Sequence, residues 1–251
     1  MNEINKNIES HLKYLKLSGI MPVYEELSLK ATKSKLQYEE YLLLLLEEEI
    51  KRKQDASVKS KIISAKFPFV KTIEEFDFSF QPDFKEKEII RLSGLGFIEN
   101  KENVILLGPP GVGKTHLAIG LGIKACIQKY RVIFISAAKL LEDLLISSKN
   151  GTLVNKLLMY SRFNLLIIDE LGYMPIVKEQ ANLLFQLISM RYEKGSIILT
   201  SNYNFDDWSK VFDDNIVASA IIDRLVHHSS LFYINGSSYR IKDKIRKNNL
   251  E

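Results

Sequence analysis

From Phe67 onward the chain alternates short, mainly apolar runs with longer stretches of helical periodicity. The apolar runs are NVILL, RVIFIS, FNLLIIDE, SIILTSN and SLFYIN. Between them lie THLAIGLGIKACIQKY, AKLLEDLLISS and EQANLLFQLISMRYEKG. A strand apolar on both faces suits a parallel sheet covered by helices on each side. The alternation predicts a doubly wound α/β domain over residues 67–251. No internal repeat or low-complexity segment interrupts it.

Residues 1–66 read differently, with one glycine (Gly19), one proline (Pro22) and long stretches of Leu, Glu and Lys. Leu12, Leu15 and Leu17 suggest a short helix that ends where Ser18 and Gly19 break the pattern. Pro22 suits the first turn of a second helix through VYEELSLKA. A third, longer helix is predicted over 38–66. It is acidic at its start and basic at its end, the sense that complements the helix dipole. A small all-α module therefore precedes the α/β domain.

The basic end of that helix carries Lys51, Arg52, Lys53, Lys59, Lys61 and Lys66 against Asp55 alone. Such a run is either a solvated face or a stripe that binds phosphates. The whole chain of 251 residues carries a net charge of only +4 and 46% hydrophobic residues, an ordinary globular balance. One cysteine, Cys126, excludes an internal disulfide framework, and its apolar surroundings imply a buried thiol. The opening MNEINKNIES lacks the apolar core of a signal peptide. The longest apolar run, Tyr41 to Leu46, falls far short of the ~20 residues that cross a membrane. A soluble cytoplasmic protein with no membrane partner is expected.

Chemistry enters directly after NVILL. Gly108, Pro109, Pro110, Gly111, Val112, Gly113, Lys114 and Thr115 spell G-x-x-x-x-G-K-T between a predicted strand and a predicted helix. Glycines let successive backbone N–H groups turn inward on a phosphate, and the helix N-terminus adds partial positive charge. Lys114 would reach the β- and γ-phosphates of ATP, and the Thr115 hydroxyl would ligate Mg²⁺. His116, next in line, packs at the helix start. The strand NLLIIDE ends in Asp169 and Glu170, at the sheet edge where α/β proteins bind ligands. Asp169 would hold Mg²⁺ and Glu170 would polarise the attacking water. SIILTSN ends in Thr200, Ser201 and Asn202. Asn202 either hydrogen-bonds that water or caps the helix that follows.

These pieces, in this order, resemble the AAA+ ATPases and, more narrowly, the IstB-like transposition helper ATPases, relatives of DnaC-type helicase loaders. LKLSGIMPVYEEL, KFPFVKTIEEFDFSFQP, LLIIDELGYMP and AIIDRLVHHSSLFYINGSSYR carry the likeness over nearly the whole chain. The resemblance implies an AAA+ core with Asn202 as first sensor. It implies that Arg224, in IIDRL, reaches a neighbouring subunit's nucleotide, where an arginine can neutralise γ-phosphoryl charge. From the residues alone, the favoured reading of Arg224 is a salt bridge with Asp223 or another surface acid. Arg191 is a second candidate for a role between subunits. Sixteen residues follow SLFYIN, too few for a helical lid.

The resemblance further implies an ATP-dependent homo-oligomer on duplex DNA, with Lys51, Arg52, Lys53, Lys59 and Lys61 as the phosphate track and a transposase as partner. The alternative is a helicase loader acting on single-stranded DNA. A small-molecule kinase would need an acceptor pocket and a closing lid, which the sequence lacks. His227 and His228 have no metal-ligand spacing around them and Cys126 is too isolated to join them, so no zinc site is expected. Phe76 and Phe78 pack in the core or at an adenine. Arg240 and the basic tail YRIKDKIRKNN either fray or touch phosphate.

Overall fold

The computed structural model describes residues 3–80, 86–236 and 238–239. Arg240 and the basic tail lie outside the described residues. Contacts divide the chain after Ser60, giving units Met1–Ser60 and Lys61–Glu251. No helix among the described residues is long and apolar enough to cross a membrane.

The first unit is helical. Helix α1 spans Glu3–Tyr14, α2 Tyr24–Ser34 and α3 Tyr38–Ser64. Helix α1 stops before Ser18 and Gly19, because Lys16 adopts a left-handed φ of 55°. There the Leu17 N–H returns to Leu12 O and the Lys16 N–H to Lys13 O, which satisfies the last carbonyls of the helix. Lys35 ends α2 in the same way. Pro22 lies in the turn before α2 rather than in its first turn.

Gly19 has a tertiary task. It lies against the α3 backbone, where a Cβ would stand 2.7 Å from Glu49 Cα and 2.8 Å from Glu48 O. Glu49 is buried, and its Oε2 accepts from the Gly19 N–H at 2.6 Å and the Ile20 N–H at 3.3 Å. Burial pushes the carboxyl up. The Gly19, Lys53 and Ile20 hydrogen bonds outweigh it, so the pKa lies below the ordinary value. Gly19→Ala is expected to cost about 2 kcal/mol by forcing this close approach apart, read as an earlier loss of helical ellipticity on denaturant titration of the full chain.

The basic run does not form one stripe. Successive residues turn by about 100°, so Lys51, Arg52 and Lys59 share one side of α3. Lys53 points toward Glu49 and pairs with it at 3.2 Å. Lys51, Arg52, Lys53 and Lys59 are exposed, and Lys61 is half-buried.

The second unit contains a five-stranded, all-parallel sheet in the order β2-β3-β4-β1-β5. Its strands are β1 (Asn103–Leu107), β2 (Val132–Ser136), β3 (Leu165–Leu171), β4 (Ser196–Ser201) and β5 (Ser229–Tyr233). The helices are α4 (Glu86–Leu92), α5 (Gly96–Glu99), α6 (Lys114–Ile127), α7 (Ala137–Lys149), α8 (Leu153–Ser161), α9 (Lys178–Arg191) and α10 (Asn215–Val226). Both faces of the central strands are buried, as the apolar runs imply. Val104, Leu106 and Ile167 meet Leu117 and Leu121 of α6 on one face. Ile105, Leu107 and Ile168 meet Leu140, Leu184 and Ile221 of α7, α9 and α10 on the other. Cys126 is buried in the first of these layers, and burial pushes its thiol up to about 11.

A strap of residues 67–78 runs along one side of α6, at positions three, four and four residues apart. Phe76 lies against Gly113, and the His116 Nε2–H donates to Thr72 O at 2.7 Å. Ile73 lies against Gly120, and Glu74 pairs with Lys124 at 2.6 Å. Burial lowers the His116 pKa. The strap fixes the helix that the phosphate loop opens into.

Candidate functional site

The glycine-rich loop leaves β1 at its carboxyl end, between β4 and β5, and enters α6 through Gly113. Gly113 has φ 104° and Gly108 φ 143°, both in the region that side chains avoid. A Cβ at Gly108 would collide with the Ile234 carbonyl oxygen, and one at Gly113 with the Phe76 ring. The loop is thus packed on two sides. Ser238 lies against Gly111, and the Tyr239 N–H donates to Gly111 O at 2.9 Å. Sequence reasoning considered only Arg240 in this stretch. It missed Tyr239, because a backbone contact leaves no compositional trace.

Lys114 is buried, with Nζ donating to Gly108 O at 2.6 Å, Pro109 O at 2.8 Å and Asn202 Oδ1 at 2.7 Å. Asn202 faces the lysine and not a helix end. The 3₁₀ turn Phe205–Lys210 starts instead from Asn204, which makes no side-chain cap. Beside Lys114, the Thr115 hydroxyl donates to Asp169 Oδ1 at 2.9 Å. Thr200, buried on β4, donates to the same oxygen at 2.6 Å and accepts from the Glu170 N–H at 2.8 Å. Thr200 is the residue that sequence reasoning passed over in favour of Asn202. Its signal was a hydroxyl on an otherwise apolar buried strand.

The backbone aims Glu170. Between Ile168 and Leu171 the β3–β4 register slips, so β3 spends one residue more than β4. Glu170 adopts φ 60° and is exposed within an otherwise buried strand. A bulge of this kind redirects a side chain. Here it sends the carboxylate out of the sheet beside Asp169. Asp169 and Glu170 stand between two cavities. One, of about 420 Å³, is lined by Phe69, Phe76, Gly113, Thr115, His116 and Tyr239. The other, of about 500 Å³, is lined by Ser136, Lys139, Glu142, Tyr173 and Met174. The first has the size of a small-molecule site and opens onto the phosphate loop. Phe76 and Phe78 pack against each other at 4.8 Å between ring centres, with Phe76 lining that cavity.

The donor set fits a divalent cation bound with a phosphate. A threonine hydroxyl and an aspartate carboxylate converge at the mouth of a loop that offers amides to phosphate. Thr200→Val should weaken this site while keeping the strand's shape. The Asp169 carboxylate would lose one of its hydrogen bonds and the Glu170 N–H its acceptor. A stability loss of about 1–3 kcal/mol is expected, read as a lower melting temperature of the full chain.

Arg224 sits elsewhere. Helix α10 runs back across the sheet, and β5 begins three residues after its end. Arg224 therefore lies at the amino edge of the sheet. The five residues of β1 separate that edge from the phosphate loop, roughly 16 Å at 3.3 Å per residue. The guanidinium is 4.4 Å from the Phe185 ring centre, and Nη1 donates to Ala220 O at 3.4 Å. Among the described residues it makes no ion pair with Asp223.

Arg191 corrects the expectation of a role between subunits. It is 1% exposed. Nη1 donates to Tyr160 O at 2.7 Å and Phe163 O at 3.0 Å, and Nη2 to Ser196 O at 2.7 Å. Burial lowers its pKa to about 10. The guanidinium ties the end of α8 to the start of β4 and has no path to another molecule.

The family model for IstB-like ATP binding proteins matches residues 10–247. A putative ATP-binding protein of insertion sequence IS21 from Pseudomonas aeruginosa is 45% identical over 237 residues, covering 94% of this chain and 89% of its own. The corresponding protein of IS5376 from Geobacillus stearothermophilus is 44% identical, covering 85% of each chain. Among solved structures, the DnaC helicase loader superposes with a TM-score of 0.54 at 20% identity, covering 69% of this chain and 98% of that one. AMPPCP-bound DnaA from Aquifex aeolicus gives 0.54 at 26% identity, covering 72% of this chain and 56% of that one. The sheet order, the loop after β1 and the carboxylates ending β3 are those of an AAA+ core. With its family model spanning nearly the whole sequence and insertion-sequence relatives at this identity, the chain belongs to the IstB-like ATP-binding protein family.

Proposed function

We propose that this chain is an ATP-hydrolysing helper for insertion-sequence transposition that acts in the cytoplasm. It assembles on duplex DNA when ATP is bound, engages a transposase, and comes apart after hydrolysis. The observation that carries this reading is the placement of Arg224. Lys114, Thr115, Asp169 and Glu170 meet at the carboxyl edge of the sheet, whereas Arg224 lies a strand's length away at the amino edge. An arginine so placed serves its own ATP poorly and another copy's well.

In this reading the loop amides and Lys114 hold the β- and γ-phosphates, with Lys114 exchanging carbonyl acceptors for phosphate oxygens. Thr115 and Asp169 would hold Mg²⁺, which supplies neutralising charge to the phosphates when bound. Glu170, aimed by the bulge, takes the proton of the attacking water, and Asn202 orients the lysine and that water. Arg224 of the next copy leaves Phe185 and neutralises charge spreading over the γ-phosphoryl oxygens. Lys51, Arg52 and Lys59 supply phosphate contacts that read no sequence, so binding weakens steeply with salt. Lys53, already paired with Glu49, contributes less.

Light scattering of the full chain with and without ATP and duplex DNA tests the assembly. Large particles are expected only with both, and Arg224→Ala should stay small while still binding ATP. Equal stimulation of turnover by single-stranded DNA would favour a helicase loader instead. Full hydrolysis by a dilute single copy would overturn the reading.

A further inference from the structure

A second cluster lies at the amino edge of the sheet, away from the nucleotide site. The turn after α9 presents Glu193, and the turn between α10 and β5 presents His227 and His228. One ligand atom from each of the three lies within 4.8 Å of the others, and all three residues are exposed. The sequence places Glu193 far from the histidines, which is why their spacing alone gave no metal site. We propose that Glu193, His227 and His228 form a binding site for a divalent transition-metal ion, with Zn²⁺ as the best chemical match.

Three observations converge on it. First, the His228 Nε2 to Glu193 Oε1 distance is 3.2 Å. Two ligands about 2.0–2.1 Å from a tetrahedral centre stand about 3.3 Å apart, so the pair already spans one edge of such a site. Second, the rings are held before any ion arrives. His227 and His228 meet edge to face at 4.2 Å between centres, and the Tyr192 hydroxyl lies 2.8 Å from His227 Nδ1. A hydrogen bond to one imidazole nitrogen fixes the ring and selects the nitrogen that ligates. Third, Glu193 holds a left-handed φ of 56° in the turn after α9, a conformation that non-glycine residues rarely adopt. It brings the carboxylate to the histidines.

Two imidazoles and one carboxylate suit Zn²⁺ and its first-row neighbours better than Mg²⁺ or Ca²⁺. Three protein ligands leave a fourth position for water or for a side chain of another molecule. An ion here would clasp the α9–β4 turn to the end of α10, three residues beyond Arg224. The assignment does not depend on the assembly reading.

The test uses the EDTA-treated full chain, free of Mg²⁺ and nucleotide, titrated with Zn²⁺ against a chromophoric chelator. Wild type should take up one Zn²⁺ per chain at micromolar concentration. Glu193→Gln, His227→Ala and His228→Ala should each weaken uptake at least about tenfold, in the range seen when ligand environments are altered. Far-UV circular dichroism would check that these surface variants fold. No saturable uptake by wild type, or uptake unchanged in all three variants, overturns the site and leaves an ordinary histidine–glutamate pair.

Discussion

Lys114→Ala is expected to weaken ATP binding at least about 100-fold, or roughly 2.7 kcal/mol at 1.36 kcal/mol per tenfold, and with it every ATP-dependent step. The magnitude follows from what the ammonium does. Hydrogen bonds to a charged group contribute about 1.5–3 kcal/mol each, and this lysine meets Gly108 O, Pro109 O and Asn202 Oδ1 at 2.6 to 2.8 Å. All three partners can be exchanged for phosphate oxygens without moving the loop, whose glycines are pinned by Ile234 and Phe76. Truncation also strands Asn202 beside the site, so thermal stability should drop modestly. Equilibrium binding of a fluorescent ATP analogue, with a melting curve alongside, separates the two effects. Affinity close to wild type would show that the amides alone carry the phosphates.

Glu170→Gln should separate binding from chemistry. Gln is nearly isosteric, and the bulge that aims position 170 is held through its backbone N–H to Thr200 Oγ1 at 2.8 Å. The variant should therefore keep its geometry and bind ATP within a few-fold of wild type. Removing a general base costs about 10²–10⁴ in rate, so turnover should fall at least about 100-fold. Assemblies formed with ATP should then persist. Phosphate release measures the first effect, and light scattering over time measures the second. Turnover at the wild-type rate would move the water-activating role to another group.

The sheet and its phosphate loop were legible because both follow from local pattern. The central runs, apolar on both faces, suit a covered sheet, and the glycines, Lys114 and Thr115 sit together in sequence. Helix ends were less legible for a specific reason. Lys16, Lys35, Lys101 and Lys129 all take the left-handed position that closes a helix, a position usually marked by glycine. Lysine gives no such mark, so α1 was read too far. Thr200 and Arg191 were hidden by distance. Each acts on partners about 30 residues away, and an arginine read alone is assigned to the surface. Only the fold shows that four carbonyls surround it. The basic run on α3 was legible as charge but not as geometry, although Glu49 and Lys53 stand four residues apart, a spacing that pairs them on one helix face.

The placement of the ATP cradle and Arg224 at opposite edges of the sheet gives any stack of copies a direction. In the proposed assembly each contact would be head to tail, so the two ends of a row would be chemically unlike. One terminal copy would hold fuel with nothing to trigger its cleavage, and the other would offer a trigger with no fuel beneath it. Growth and decay would then proceed at unequal speeds from the two ends, and a short row would always keep one slow-burning member.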